Sequence, residues 1–399
     1  LLTHAHIDHS GYIPALVKQG FKGKIICTRA TWELCRVLLP DAGFLQEEDA
    51  KYANRKKFSK HSPAQPLFTE EDAWTALKQF EPVHFHEDVQ VCAELSARFI
   101  PAGHILGSSS ILCTLQNGPR IAFSGDVGRQ NDLVMRAPEP LPDADYLVVE
   151  STYGNRRHED VDPFAFLENI INTTIGRGGI VLMPAFAVGR AQTLLHIIQA
   201  LKVADRIPNV PVFLNSPMAI TATEIFCKHH KEHKLSQQEC YRIDEGTTYV
   251  RTVEESIALN GKKFPCIIIS ASGMASGGRV LHHLKSLAPH HKNSIVFAGF
   301  QAPGTRGDAI VNGAEHIKIH GEFIPVKAQI HYLDSLSAHG DYTEILDWLG
   351  QSTIQPKRVF VTHGEAVPAD EMRKHIRDRF GWRTQVASEG EEVHLDGHA

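Results

Sequence analysis

"LLTHAHIDHSG", residues 1–11, sets His4, His6, Asp8 and His9 within six positions, four side chains of metal-ligand type. In an extended segment, residues two apart point the same way, so His4, His6 and Asp8 are predicted to project to one side. His9 then turns towards a second direction as "SGYIPALVKQG" (10–20) begins a helix. That arrangement divides into two imidazoles for one ion and a carboxylate plus an imidazole for another. Zinc, a borderline-soft cation, accepts both ligand types. With 24 His in 399 residues a chance cluster is the competing reading, and the HxHxDH register argues against it.

Such a site needs closing ligands from elsewhere. His104 in "PAGHILGSS" follows the strand-like "ARFI", Asp126 in "FSGDVG" ends a strand, and His363 in "VFVTHGE" ends another. Each stands beside a glycine that lets backbone approach closely. Singly, each also reads as an ordinary loop residue.

Working outward, short apolar runs with the β-branched content of buried strands recur at 24–28, 121–125, 145–150, 179–185, 210–215, 265–270, 293–299 and 357–364. Residues 188–202 and 278–287 carry apolar side chains at helical spacing. Strands alternating with helices predict an α/β protein. The polar stretch "YGNRRHEDVDP" (153–163) and the alternating "HIKIHGEFIPVKAQIHYLDSLSAHGD" (316–341) punctuate the chain. They frame a self-sufficient strand–helix series from about 156 to 331 that reads as an insert.

A length of 399 residues favours two domains. The seven Cys residues never form CxxC, which argues against a disulfide framework or a thiolate zinc site and fits a reducing compartment, taken as the cytoplasm. No apolar run is long enough for a membrane span. A net charge of −5 advertises no global affinity for polyanions, although metal ions in a cleft supply local positive charge.

The motifs together resemble the metallo-β-lactamase fold, and more narrowly the β-CASP nucleases. That group includes the cleavage endonuclease of the polyadenylation machinery, its archaeal and bacterial relatives, and ribonuclease J. Three further positions carry the resemblance: Glu150 in "VVESTYG", His339 in "SLSAHGD" and His363 in "THGE". "SASGMASGGRVLHHL" and "GFQAPGTRG" look like the family's inserted domain. The implied architecture is an αββα sandwich at 1–155 and 332–399, with an inserted β-CASP α/β domain at 156–331. Family members begin with strands that precede HxHxDH, so an N-terminal truncation is expected.

The resemblance implies two zinc ions, with manganese as the alternative. His4, His6 and His104 would hold one ion, Asp8, His9 and His363 the other, and Asp126 would bridge them. A hydroxide between the metals would attack a phosphodiester of single-stranded RNA, leaving a 5′-phosphate and a 3′-hydroxyl. His339 would protonate the leaving oxygen beside Glu150, and Asp8 is counted with these catalytic groups. The resemblance leaves room for a homodimer. A DNA-directed relative typically carries an apolar residue in place of His363. A thioester or lactam hydrolase needs no insert to clamp a polymer, and a non-catalytic subunit would have lost ligands.

Lesser motifs are ambiguous. "SASGMASGGR" (270–279), with Ser272, Gly273 and Arg279, is either a tight strand–helix turn or an anion site. Ser216 in "NSPMA" and Arg190 are further phosphate-contact candidates. "CKHHKEHK" (227–234) is expected to be a solvated helix face. The other six cysteines are expected to be mostly small core residues.

Overall fold

In the computed structural model, which describes residues 1–261 and 264–395, the chain divides into two compact units. One comprises residues 1–157 and the segment from His339 onward; the other is 158–338. The expected boundary after 331 moves because Gln329–Leu333 is a strand of the insert's own sheet, pairing in parallel with Ser294–Ala298.

The first unit is built on a seven-stranded sheet. Its order is Thr384–Val386, Arg358–Val361, Tyr146–Val149, Arg120–Phe123, Ser109–Leu115, Leu95–Pro101 and Asp88–Cys92. The first four strands run parallel and the remainder form an antiparallel meander. Period-two alternation splits the apolar residues between the faces. Ile100 and Leu112 join a core with Trp348, Leu349, Met372 and Ile376 of the helices Tyr342–Gln351 and Ala366–Phe380. Ala97, Phe99, Ile111 and Cys113 point the other way, onto Ile26. Ile26 lies in a two-stranded parallel sheet of Ile25–Thr28 and Phe80–Val83, which packs against the 28-residue helix Arg29–Lys56. Helix, sheet, sheet and helix follow in layers.

Only part of the opening stretch is extended. Leu2 N–H donates to Ile26 O and Ser109 N–H to Thr3 O, which ties residues 2 and 3 to both sheets. Helix begins at Ile7, so Asp8 sits on a short helix, Ile7–Ser10, and not on an extended run with His4 and His6.

The second unit holds a six-stranded, all-parallel sheet in the order Thr248–Tyr249, Val212–Asn215, Ile267–Ser270, Val181–Pro184, Ser294–Ala298 and Gln329–Leu333. Its central strands are buried along their whole length, which is why they read as continuous apolar runs. An antiparallel hairpin, His316–Ile319 with Glu322–Pro325, accounts for the alternating stretch in the sequence. No helix among the described residues is long and apolar enough to cross a membrane.

Trp348 has no solvent exposure, and its indole N–H donates to Glu139 O at 2.7 Å. Trp348→Ala is expected to destabilise the first unit by about 3–5 kcal/mol through cavity and lost burial. Chemical denaturation checks this, and a change below about 1 kcal/mol would contradict the packing.

Candidate metal centre

Four strands of the seven-stranded sheet, Leu95–Pro101, Arg120–Phe123, Tyr146–Val149 and Arg358–Val361, run in the same direction. The loops that leave their carboxyl ends carry His104, Asp126, Glu150 and His363. In open sheets of this type ligands gather at that edge. Bridges between Gly103 and Val127 and between Gly128 and His339 knit the His104 and Asp126 loops to each other and to the segment at His339. Two glycines make the approach feasible. Gly125 has φ +57°, and a Cβ there would lie 2.8 Å from Ser109 O; a Cβ on Gly128 would lie 2.0 Å from Gly103 O. His363 itself takes φ +55°, an uncommon left-handed conformation for a side-chain-bearing residue, immediately after its strand.

Nitrogen and oxygen donors converge around Asp126. Its Oδ2 lies 3.3 Å from His4 Nε2 and 3.5 Å from His104 Nε2. His6 Nδ1 closes this first group, 3.2 Å from His4 Nε2 and 3.1 Å from His104 Nε2. The other oxygen, Oδ1, lies 3.2 Å from His9 Nε2 and 3.4 Å from His363 Nδ1. His363 Nε2 is 3.1 Å from His9 Nε2 and 3.3 Å from Asp8 Oδ2. Despite its neighbours, the buried Oδ1 accepts no well-directed hydrogen bond. Ring nitrogens 3.1–3.2 Å apart are not acting as a row of N–H donors to one another. A tetrahedral ion bound at 2.0–2.1 Å imposes donor separations of about 3.3 Å. The donor set therefore fits two cations that share the Asp126 carboxylate.

In the first group, electrostatics agree with that chemistry. Burial, only partly offset by Asp126, lowers the pKa of His4, and burial together with nearby imidazoles takes His6 down to about 3 and His104 well below its usual range. These rings are neutral, the form that ligates. Burial works against ionised Asp126, yet His4, His9 and His104 around it hold its carboxyl well below the usual range. Burial likewise opposes ionisation of Asp8, and the hydrogen bond from His363 wins, lowering its pKa. That same bond takes His363 up to about 9.

Glu150 is buried and held from several directions. Its Oε1 accepts from Val127 N–H at 2.6 Å, its Oε2 from Thr152 N–H at 3.3 Å, and both oxygens lie 3.2 Å from His339 Nδ1. Burial disfavours the charged form of His339, but the Glu150 carboxylate outweighs it and raises the pKa. The His339 ring stacks obliquely, 4.4 Å from the ring of His104.

Sequence reasoning missed two hydroxyls. Thr3 Oγ1 is 3.2 Å from His4 Nδ1, and Thr152 Oγ1 is 3.2 Å from His363 Nδ1. Thr3 engages the His4 nitrogen turned away from the donor cluster and so sets which nitrogen faces inward, while Thr152 helps fix the orientation of the His363 ring. Their adjacency to His4 and to the "VVES" strand end was the only available signal.

The lesser candidates all lie in the 158–338 unit. Ser216 caps the helix Pro217–Lys228, its Oγ accepting from Ala219 N–H. The Arg279 guanidinium donates to Asn215 Oδ1 and to the carbonyls of Val250 and Arg251, so it holds the turn together. Arg190 is buried at the start of the helix Arg190–Val203. Gly273 packs so closely on Phe186 that a Cβ would lie 2.9 Å from its backbone nitrogen, and Ser272 adjoins it in the same turn. The tract at 227–234 differs from a solvated helix face: the helix ends at Lys228, and His233 is buried and stacked on Phe226. Of the six other cysteines, Cys92 is exposed and five are buried.

Thr3→Val and Thr152→Val are each expected to weaken metal binding about 10–100-fold without unfolding the protein. Chelator competition checks this; unchanged affinity in both variants would remove the hydroxyls from the site.

Residues 1–162 match the family model described as the metallo-beta-lactamase superfamily, residues 191–310 the Beta-Casp domain, and residues 324–387 the Zn-dependent metallo-hydrolase RNA specificity domain. Ribonuclease TTHA0252 of Thermus thermophilus is 35% identical over 374 residues, covering 92% of this chain and 80% of that protein. An RNase J-like protein of Methanocaldococcus jannaschii is 31% identical, covering 92% and 81%. The transcription termination factor FttA of the same organism is 29% identical over 97% of this chain, which spans only 61% of that factor's length. A crystal structure of a protein of unknown function from Enterococcus faecalis matches with TM-score 0.53 at 14% identity, over 98% of this chain and 80% of that one, and so shares the fold. The chain belongs to the β-CASP nucleases of the metallo-β-lactamase superfamily, a family of metal-dependent hydrolases.

Proposed function

We propose that this chain is a two-zinc ribonuclease that hydrolyses phosphodiester bonds of single-stranded RNA, in RNA processing or decay. The observation that carries the reading is the convergence of two donor sets on opposite oxygens of one buried carboxylate, Asp126. His4, His6 and His104 would hold one ion, and Asp8, His9 and His363 the other. Manganese suits the same His and carboxylate donors. When bound, the ions supply Lewis acidity towards a phosphoryl oxygen and lower the pKa of a water molecule.

The chain's own residues supply the rest. Asp126, kept ionised, fixes the spacing of the two ligand groups. Glu150 orients His339 and favours its protonated form. His339 gives that proton to the 3′ oxygen as its bond to phosphorus breaks, so the products carry a 5′-phosphate and a 3′-hydroxyl. The name of the 35%-identical relative and the description of the matched RNA specificity domain support RNA as substrate, as does a histidine at position 363.

The test uses a 5′-labelled single-stranded RNA and a DNA of the same sequence, with bound metal counted in parallel. RNA is expected to be cleaved, and His339→Ala to lose about 10²–10⁴-fold in rate while both ions stay. An intact RNA beside a protein carrying two ions would overturn the ribonuclease reading.

The pH profile tests Glu150 separately. His339 donates only while protonated, so the rate falls as pH rises through its pKa. Glu150→Gln removes the charge that holds this pKa up, and the alkaline fall is expected at lower pH. An alkaline limb that stays in place would contradict the role of Glu150.

A further inference from the structure

Residues 51–61, "KYANRKKFSKH", carry Lys51, Arg55, Lys56, Lys57 and Lys60 with two aromatic rings and no acid, in a chain whose net charge is −5. The run covers the end of the helix Arg29–Lys56 and the loop after it. Lys57 takes φ +55°, and this left-handed cap turns the chain out of the helix. The Phe58 and Tyr52 rings lie 5.9 Å apart, and the Arg55 guanidinium carbon sits 5.5 Å from the centre of the Tyr52 ring. The loop is tied to the helix at two points. The Asn54 side chain exchanges two hydrogen bonds with the Ala64 backbone, at 2.7 and 2.9 Å, and Gln46 Oε1 accepts from Leu67 N–H at 3.0 Å. Tyr52 is nevertheless 48% exposed and Phe58 66%, and all five cations face solvent. Lys51 pairs with Glu48 at 2.8 Å. Among the described residues, no carboxylate pairs with Arg55, Lys56, Lys57 or Lys60. Glu47, one helical turn before Lys51, accepts from Glu70 N–H instead.

We propose that this surface binds single-stranded RNA at a distance from the metal centre, its cations taking backbone phosphates and Phe58 stacking on an unpaired base beside Tyr52. Exposed rings set among unpaired cations on a fixed surface are what a single strand needs, because its bases show faces that a duplex hides. The choice of RNA rests on the ribonuclease reading above, which also sets it ahead of an anionic membrane. The helix Arg29–Lys56 begins against the His104 loop, where Gly107 O accepts from the Thr28 and Thr31 hydroxyls at 2.7 and 2.9 Å. At a rise of 1.5 Å per residue, its 28 residues carry the run about 40 Å along from that loop. The surface therefore holds a remote part of a long strand and does not touch the phosphate to be cut.

The experiment follows binding of a labelled thirty-nucleotide oligouridine by fluorescence anisotropy, using the full chain in a His339→Ala background that slows any cleavage. Phe58→Ala is expected to weaken binding about 5–150-fold. The triple variant Lys56→Gln, Lys57→Gln, Lys60→Gln is expected to flatten the log–log dependence of affinity on salt by about 2, the share of three contacts to a single strand. A matched triple, Lys18→Gln, Lys24→Gln, Lys374→Gln, removes the same charge from lysines already paired with Asp72, Glu81 and Asp370, and is expected to bind as its parent does. Unchanged RNA affinity in both variants of the run, or an equal loss in the matched triple, would overturn the inference. So would a loss seen only with phosphatidylserine vesicles, which would assign the surface to a membrane. Binding is read apart from cleavage, so the two readings fail separately. RNA held through the run by a chain that cuts none would contradict the ribonuclease reading alone. RNA cut by a chain whose run can be altered without effect on binding would contradict this inference alone.

Discussion

Burying an ionised carboxylate costs several kcal/mol unless opposite charge compensates it, and Asp126 is 2% exposed. The neighbours that should compensate it, His4, His6 and His104, are themselves driven neutral by burial. Around Oδ2 the cluster thus collects lone pairs beside a negative charge. Oδ1 faces the second group, through His9 and His363. A protein that keeps such an arrangement is built around bound metal. The sheet edge, the glycine turns and the left-handed backbone at His363 follow from the need to bring seven donors to that point.

Rigid strands aim the site. His104, Asp126, Glu150 and His363 leave co-directional strands whose hydrogen-bonded register fixes their spacing. Glu150 links the proposed ligand group to the proposed proton donor, because its carboxylate takes the Val127 N–H next to Asp126 and also faces His339. A displacement of the Asp126 loop would therefore be felt at His339. This coupling is the physical basis for treating metal binding and proton donation as one device in the proposed reaction.

Much of this was legible in the sequence, for identifiable reasons. The HxHxDH register, and strand ends carrying His or Asp beside Gly, are local patterns that survive without coordinates. The continuous apolar runs at 181–184 and 267–270 announced a sheet buried on both faces. Other features depend on packing. Asp8 was placed on an extended run, whereas helix starts at Ile7, and no capping residue precedes it to mark the change. The expected end of the insert, after 331, falls inside the strand Gln329–Leu333, because nothing in that strand says which sheet it joins. Arg279 carried the charge of an anion ligand, yet it serves its own turn. Thr3 and Thr152 look unremarkable until their hydroxyls are found against ligand rings.

Anomalous diffraction at the zinc edge, from crystals of zinc-loaded protein, tests the central claim most directly. Two peaks are predicted, one among His4, His6 and His104 and the other among Asp8, His9 and His363, with a different oxygen of Asp126 bound to each. A single peak, or two peaks that leave Asp126 outside both coordination spheres, would contradict the shared-carboxylate account.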